Sequence, residues 1–398
     1  MRLLHVVPYY EQAWAYGGIP RLATTMTRAL AHRGHRVTVC TTDVRDERMR
    51  ASSGEVNAHG IDVRMFRNLS NSLAYHLQFF APIGLRQYMR RAAGTFDVAH
   101  IHACHNLPGV IAAAELSRAG VPYVVSPNGT AKPIERRIMA KRLFAVTAGR
   151  SLLSAAARVI AVSRAEVRQL RAIGVSESAI VQIPNPIDEQ EVDRLTDPRG
   201  FRTRWDLGDA PIVLFLGKLT PRKGVTDLVR AFATLDAPAA VLVVAGNDMG
   251  ARRSVEALVT NLQLRKRVTF TGLLSGQERL DALAAATVVV YPSRDEIFGL
   301  VPLEALLCGT PVVVCNDSGC GEVIAVTGGG QTVPHADIGA LAAAIKAVLG
   351  NEPQWRNRAR MAAIVARERF GSGVISEQLE ALYAAVLHDV ARVGRIGA

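Results

Sequence analysis

Between Val288 and Val314 the chain spells out one complete strand–loop–helix–strand unit, and such a unit commits its surroundings to a parallel sheet. Val288 to Tyr291 is an unbroken apolar run of strand length. A polar loop follows, with Gly299 inside it and Pro302 where a helix would begin. The apolar helix then runs to Cys308. Gly309, Thr310 and Pro311 stop it, and Val312 to Val314 opens the next strand. In an open parallel sheet, ligands bind outside the carboxyl ends of the strands, where the helices begin. The loop at Phe298, Gly299 and Leu300 therefore presents backbone N–H groups suited to an anion. Two carboxylates, Glu296 and Glu304, bracket that turn. Like charges repel, so both cannot be phosphate ligands; they suit the hydroxyl groups that flank a phosphate in a nucleotide sugar.

The same alternation of strand and helix extends along the chain. Strands are expected at Leu3–Val7, Val37–Thr41, Val98–His102, Tyr123–Ser126 and Val159–Val162, with helices at Ile19–His32 and Val110–Ala119. The pattern pauses at Ile183-Pro-Asn-Pro-Ile-Asp188 and the polar stretch to Arg204. It resumes at Ile212–Leu216, Val241–Ala245, Val268–Phe270, Val288–Tyr291 and Val312–Cys315. The fold class expected is α/β, with two Rossmann-like doubly wound domains, residues 1–190 and 200–370, and a last amphipathic helix over 371–398.

Composition excludes several alternatives. At 398 residues the chain can bury two cores. Arg2–Val7 is too short, and too soon followed by Pro8, for a signal peptide, and no apolar run reaches membrane-span length. Five cysteines without paired spacing fit free thiols, and Cys315 and Cys320 lack companion ligands for a zinc site. Residues 1–190 carry 24 lysines and arginines against 13 acidic residues; the remainder carries 23 against 22. An anionic surface or substrate is thus expected on the first domain. No recognition module accompanies the charge, so nucleic acid is not an expected partner. Leu73–Pro82 and Ile134–Phe144 mix apolar and basic residues, as a membrane-surface or acceptor-lining segment would, or as ordinary helices with solvated faces.

Glu296 and Glu304, eight positions apart, match the Glu-x7-Glu motif of the family 4 retaining glycosyltransferases. Gly309-Thr-Pro-Val-Val and Ser318-Gly-Cys-Gly-Glu322 also resemble that family's pattern. The resemblance implies the GT-B fold, two Rossmann-like domains facing a central cleft, with the final helix returning to the first domain. It implies transfer of a hexosyl-type sugar from a nucleotide-sugar donor, a UDP-sugar ahead of a GDP-sugar, to a hydroxyl-bearing glycan or lipid-linked acceptor. The setting would be cell-surface polysaccharide, glycolipid or glycoconjugate assembly, in the cytoplasm or peripheral at the membrane's inner face.

The resemblance also distributes roles. In Gly217-Lys-Leu-Thr-Pro-Arg-Lys-Gly224, Lys218 and Lys223 would neutralise a departing diphosphate; the family usually has arginine at position 218, and lysine there keeps the charge but loses the bidentate fork. His102, second member of a His-x-His, would face the donor sugar with Glu296, and Glu304 would take the ribose. Gly17 and Gly18 would lie against the donor phosphates and Gly272 and Leu273 against the base, with Phe298, Gly299 and Leu300 completing the donor site. Asn128 in Ser126-Pro-Asn-Gly129 departs from the family loop, and Pro186 stiffens a turn that usually holds glycine. No Asp-x-Asp occurs, so no metal or other cofactor is expected. His100, His102 and His105 cluster without a clear third ligand angle, which leaves metal the lesser reading. The rival functions are a nucleotide-sugar epimerase on the same fold and a catalytically silent partner subunit.

Overall fold

The computed structural model describes residues 1–51, 54–58, 60–131, 150–193 and 196–396. The chain divides into two compact units, Met1–Pro186 with Ser372–Ala398, and Ile187–Gly371.

The first unit is built on eight described strands: β1 (Arg2–Val6), β2 (Arg36–Thr42), β3 (Gly54–Ala58), β4 (Ile61–Phe66), β5 (Val98–His102), β6 (Tyr123–Ser126), β7 (Arg158–Ala161) and β8 (Ile180–Gln182). Their order is β3-β4-β2-β1-β5-β6-β7-β8. Only β3 and β4 pair antiparallel; the other neighbours are parallel. The order reverses at β1, which lies between β2 and β5, so β1 and β5 form the topological switch. Leu4, Val6, Ile101, Val125 and Val159 fill the core on one sheet face. The helix Leu107–Arg118 starts earlier than its apolar period suggests. Asn106 caps it, accepting from the Gly109 N–H at 2.7 Å, and Pro108 occupies the first turn.

The last helix, Ser372–Ile396, belongs to this first unit and packs on the helix Gly18–His32. Ile375, Leu379, Tyr383 and Val386 are buried at the three- and four-residue spacing of one helix face. The Tyr383 hydroxyl lies 2.7 Å from Nδ1 of His100. Glu380 receives Arg33 at 2.7 Å and His35 at 2.6 Å. The segment Leu73–Pro82 contributes to the helix Asn71–Leu77, capped by Ser70; Ile134–Phe144 lies outside the described residues. No described helix is long and apolar enough to cross a membrane.

The second unit has six described strands: β9 (Ile212–Leu216), β10 (Val241–Ala245), β11 (Val268–Gly272), β12 (Val288–Tyr291), β13 (Val312–Cys315) and β14 (Gly330–Val333). All pair parallel in the order β11-β10-β9-β12-β13-β14. β9, β12 and β13 are buried at every residue, as strands covered on both faces must be, which is why they read as continuous apolar runs. The switch point here lies between β9 and β12.

The docking of the last helix is testable. Tyr383→Phe leaves Nδ1 of a buried histidine without its partner and should lower unfolding free energy by about 1–3 kcal/mol in urea denaturation. An unchanged midpoint would mean the contact is not made in solution.

Candidate active site

At the switch point of the second sheet, the loops after β9 and β12 meet. Lys223 ends a short 3-10 turn, Pro221–Lys223. The next residue, Gly224, has φ 67° and its missing Cβ would fall 2.3 Å from the Pro292 carbonyl oxygen, so only glycine lets the two loops approach. The Lys223 ammonium is buried and lies 2.5 Å from Oε2 of Glu296. It also donates to the Tyr291 hydroxyl and sits 4.5 Å from the centre of that ring. Ser293 donates to the same Glu296 oxygen at 2.9 Å, and Arg222 stands 3.6 Å away. Burial alone would raise the Glu296 pKa; Lys223 and Arg222 outweigh it and bring it to about 2. Glu296 is therefore an anion at every physiological pH, an acceptor of hydrogen bonds and not an acid. Burial, reinforced by Glu296, pushes the Tyr291 phenol far up, so it stays neutral.

The backbone of Glu296 is fixed as well. Its carbonyl accepts from the Cys320 N–H at 2.8 Å and the Ser318 hydroxyl at 2.6 Å. Gly299, at φ 85°, caps the helix Leu300–Leu307, and a Cβ there would meet the Cys320 sulfur at 2.5 Å. Phe298 is buried, edge-on to Phe370 at 5.4 Å. Glu304, in the second turn of that helix, is met by a residue the sequence did not single out. Arg279, on the helix Gly276–Ala285, is fully buried; it reaches Oε2 of Glu304 at 2.5 Å and Oε2 of Glu191 at 2.9 Å. Lys218 lies half-buried after β9. Gly272, at φ 76°, closes β11, and Leu273 beyond it is 45% exposed.

Of the sequence-derived candidates, the structure brings Lys223 and Glu296 into contact, and places Glu304 on the helix that Gly299 caps. Gly17, Gly18 and His102 belong to the first unit. Gly17, at φ 99°, caps the helix that Gly18 begins. His102 ends β5 fully buried, with Nε2 turned to Nδ1 of His5 at 3.0 Å instead of open space. Burial lowers its pKa to about 3, and His5 and His100 are also held well below the usual imidazole range, by burial first and by His102 second. His100 is fixed between Tyr383 and the Ser126 hydroxyl, each at 2.7 Å. The nitrogens of His5, His100 and His102 lie within 4.8 Å of one another. The rings of His100 and His102 stack at 4.3 Å and 10°. His5 is tilted by 36° to the His100 ring.

The chain matches two family models, Glycosyl transferases group 1 over residues 201–366 and Glycosyltransferase Family 4 over residues 16–191. It is 30% identical over 365 residues to a D-inositol 3-phosphate glycosyltransferase of Stackebrandtia nassauensis, covering 87% of this chain and 81% of that protein. An uncharacterized glycosyltransferase of Methanocaldococcus jannaschii is 30% identical over 332 residues, 78% of this chain and 81% of its own length. Among solved structures, Anabaena HepE in complex with UDP and glucose superposes with a TM-score of 0.77 at 21% identity, covering 96% of this chain and 99% of the other. Sucrose-phosphate synthase of Thermosynechococcus elongatus gives 0.76 at 22%, covering 98% and 100%.

The Glu296 pair makes a pH prediction. The folded-state pKa is depressed from an ordinary 4.5 to about 2, so the contribution is full above about pH 4.5 and is lost as pH falls toward 2. Glu296→Gln should cost stability at neutral pH, and the gap from wild type should narrow steadily in urea midpoints measured below about pH 4.5. A constant gap would mean that Glu296 is not held ionised by Lys223.

Proposed function

The chain belongs to the family 4 glycosyltransferases on the GT-B fold, and on that premise we propose a retaining, metal-independent hexosyltransferase that uses a nucleotide sugar, a UDP-sugar ahead of a GDP-sugar. The observation that carries this reading is the buried Lys223–Glu296 pair at the switch point of the second sheet. A fixed cation there meets a leaving diphosphate, and a permanent anion beside it accepts from a sugar hydroxyl. Lys218, on the same loop, adds a second charge. The Gly299-capped helix turns its amide end to the phosphates. Gly272 and Leu273 present backbone to the base, and Glu304 takes the ribose hydroxyls.

Both carboxylates have a cation of their own, Lys223 for Glu296 and Arg279 for Glu304. That supports acceptors of hydrogen bonds over the acid–base pair that an epimerase or hydrolase needs. In the reaction we propose, the acceptor oxygen attacks the anomeric carbon on the face from which the diphosphate departs. The bond from that carbon to the diphosphate oxygen breaks, its electron pair leaves with the diphosphate, and the acceptor's proton passes to a diphosphate oxygen. The products are a glycoside of unchanged anomeric configuration and a nucleoside diphosphate. The named relative acts on a phosphorylated polyol, and the basic first 190 residues support an anionic acceptor on the first unit. Exposed Leu69, Leu73, Phe79 and Ile83 there support a peripheral seat for it on a membrane.

Transfer from a panel of UDP- and GDP-sugars, followed by proton NMR of the anomeric centre, tests the reading: a retained configuration is expected, and an inverted one overturns it. Activity should persist in excess EDTA. Lys223→Ala should lower turnover by roughly 10²–10³, while Lys218→Arg is tolerated. Near-normal turnover in Lys223→Ala would remove the lysine from the phosphate site.

A further inference from the structure

A fully buried arginine is costly to a fold. Its guanidinium gives up water, and the loss is offset only by close, well-directed carboxylates. Arg279 is among the largest fully buried side chains of the described residues. Its neighbours on the helix Gly276–Ala285, Leu280 and Leu283, are buried apolar residues, so a charge stands out among them. What Arg279 does reach is specific. One end of its fork touches Glu304 at 2.5 Å and the other touches Glu191 at 2.9 Å. Glu191 lies on the short helix Glu189–Val192, and Glu304 on Leu300–Leu307, so one cation ties three elements together.

The division of the fork matters. An arginine facing a single carboxylate takes it bidentately and uses both its oxygens. Here one end of the fork lies 2.9 Å from Glu191 Oε2 and the other 2.5 Å from Glu304 Oε2, so the fork is shared between two carboxylates. A carboxylate offers about four lone-pair sites, so an oxygen gripped from the protein side still accepts from a ligand hydroxyl on the other. The Glu304 side chain retains 10% exposure, enough for such an approach, while Arg279 has none.

We infer that Arg279, braced by Glu191, is a positioning residue that aims the Glu304 carboxylate at the ribose hydroxyls of the nucleotide. The inference rests on the proposed role of Glu304 as the ribose acceptor. Arg279 does not touch the nucleotide; it sets the rotamer of the group that does. Its removal therefore erodes the recognition of the ribose hydroxyls and leaves recognition of the phosphates and base in place.

The test compares binding by calorimetry of UDP and GDP, each against its dideoxyribose analogue lacking both ribose hydroxyls. Wild type should prefer the ribose form of the nucleotide it binds by about tenfold or more, the worth of one or two hydrogen bonds to a charged acceptor. Glu304→Gln should abolish that ratio. Arg279→Met should reduce it nearly as far, Arg279→Lys should keep most of it, and Glu191→Gln should lower it in part. A merely structural arginine would weaken both forms equally and leave the ratio intact. If Glu304→Gln loses the ratio and Arg279→Met keeps it, the positioning role is wrong and the ribose role of Glu304 stands. If wild type shows no ratio, or Glu304→Gln retains it, the ribose role itself fails and the inference falls with it. Should Arg279→Met not fold, Glu191→Gln against Arg279→Lys decides: equal ratios in both and in wild type overturn the inference.

Discussion

A lysine cannot be buried as a bare cation, and the Lys223–Glu296 pair is the solution on which the second unit's site depends. The pair fastens the loop after β9 to the loop after β12, across the place where the strand order reverses. With those loops fastened, Tyr291 and Ser293 find their partners, and the Glu296 backbone is held by Ser318 after β13 and by Cys320 in the first turn of the helix Gly319–Thr327. Three successive carboxyl-end loops are thus locked by one charge pair and its hydrogen bonds. The two glycines that permit this, Gly224 and Gly299, are there for closeness: a methyl group at either would strike a neighbouring loop. An electrostatic requirement and a steric one select the same geometry.

The buried strands were legible because burial on both faces leaves them mostly apolar, with the few polar residues in them paired. Val98–His102, Tyr123–Ser126, Ile212–Leu216, Val241–Ala245 and Val288–Tyr291 form as their apolar runs suggest. The strands at sheet margins were not. Ile61–Phe66 carries Asp62 and Arg64, ion-paired at 2.7 Å, and reads as polar loop. Gly330–Val333 and Ile180–Gln182 are too short and too exposed to announce themselves. The edge strands Ile180–Gln182 and Gly330–Val333, and Ile61–Phe66 one place in from its edge, keep partly solvated residues, and those residues hide them.

The same limit separates the site residues. Lys223, Glu296 and Glu304 stand out because spacing and residue type coincide within one motif. Arg279 did not, because Gln-Glu-Arg-Leu-Asp at a helix start reads as a solvent-facing turn. Only its meeting with Glu304, 25 positions on, and with Glu191 from the other direction, marks it as buried. His102 illustrates the reverse. Its motif position placed it against the donor sugar; within the first unit, β1 and β5 are register neighbours and His5 from the adjacent strand packs against it. Pairing across a sheet decides what a strand residue faces, and pairing is not written in the strand itself.

The return of the last helix to the first unit has a consequence for how the molecule is made. The second unit, Ile187–Gly371, is contiguous in the chain and complete once its own residues have left the ribosome. The first unit is not. Tyr383, the partner of His100, and Glu380, the partner of Arg33 and His35, are synthesised after the whole of the second unit. The usual order of domain completion during translation is therefore reversed. The amino-terminal sheet must wait, with one face of the helix Gly18–His32 uncovered, until the helix Ser372–Ile396 emerges. A nascent chain stalled before Ser372 would hold a finished second unit and an unfinished first one, and the exposed seam would be the surface a chaperone meets.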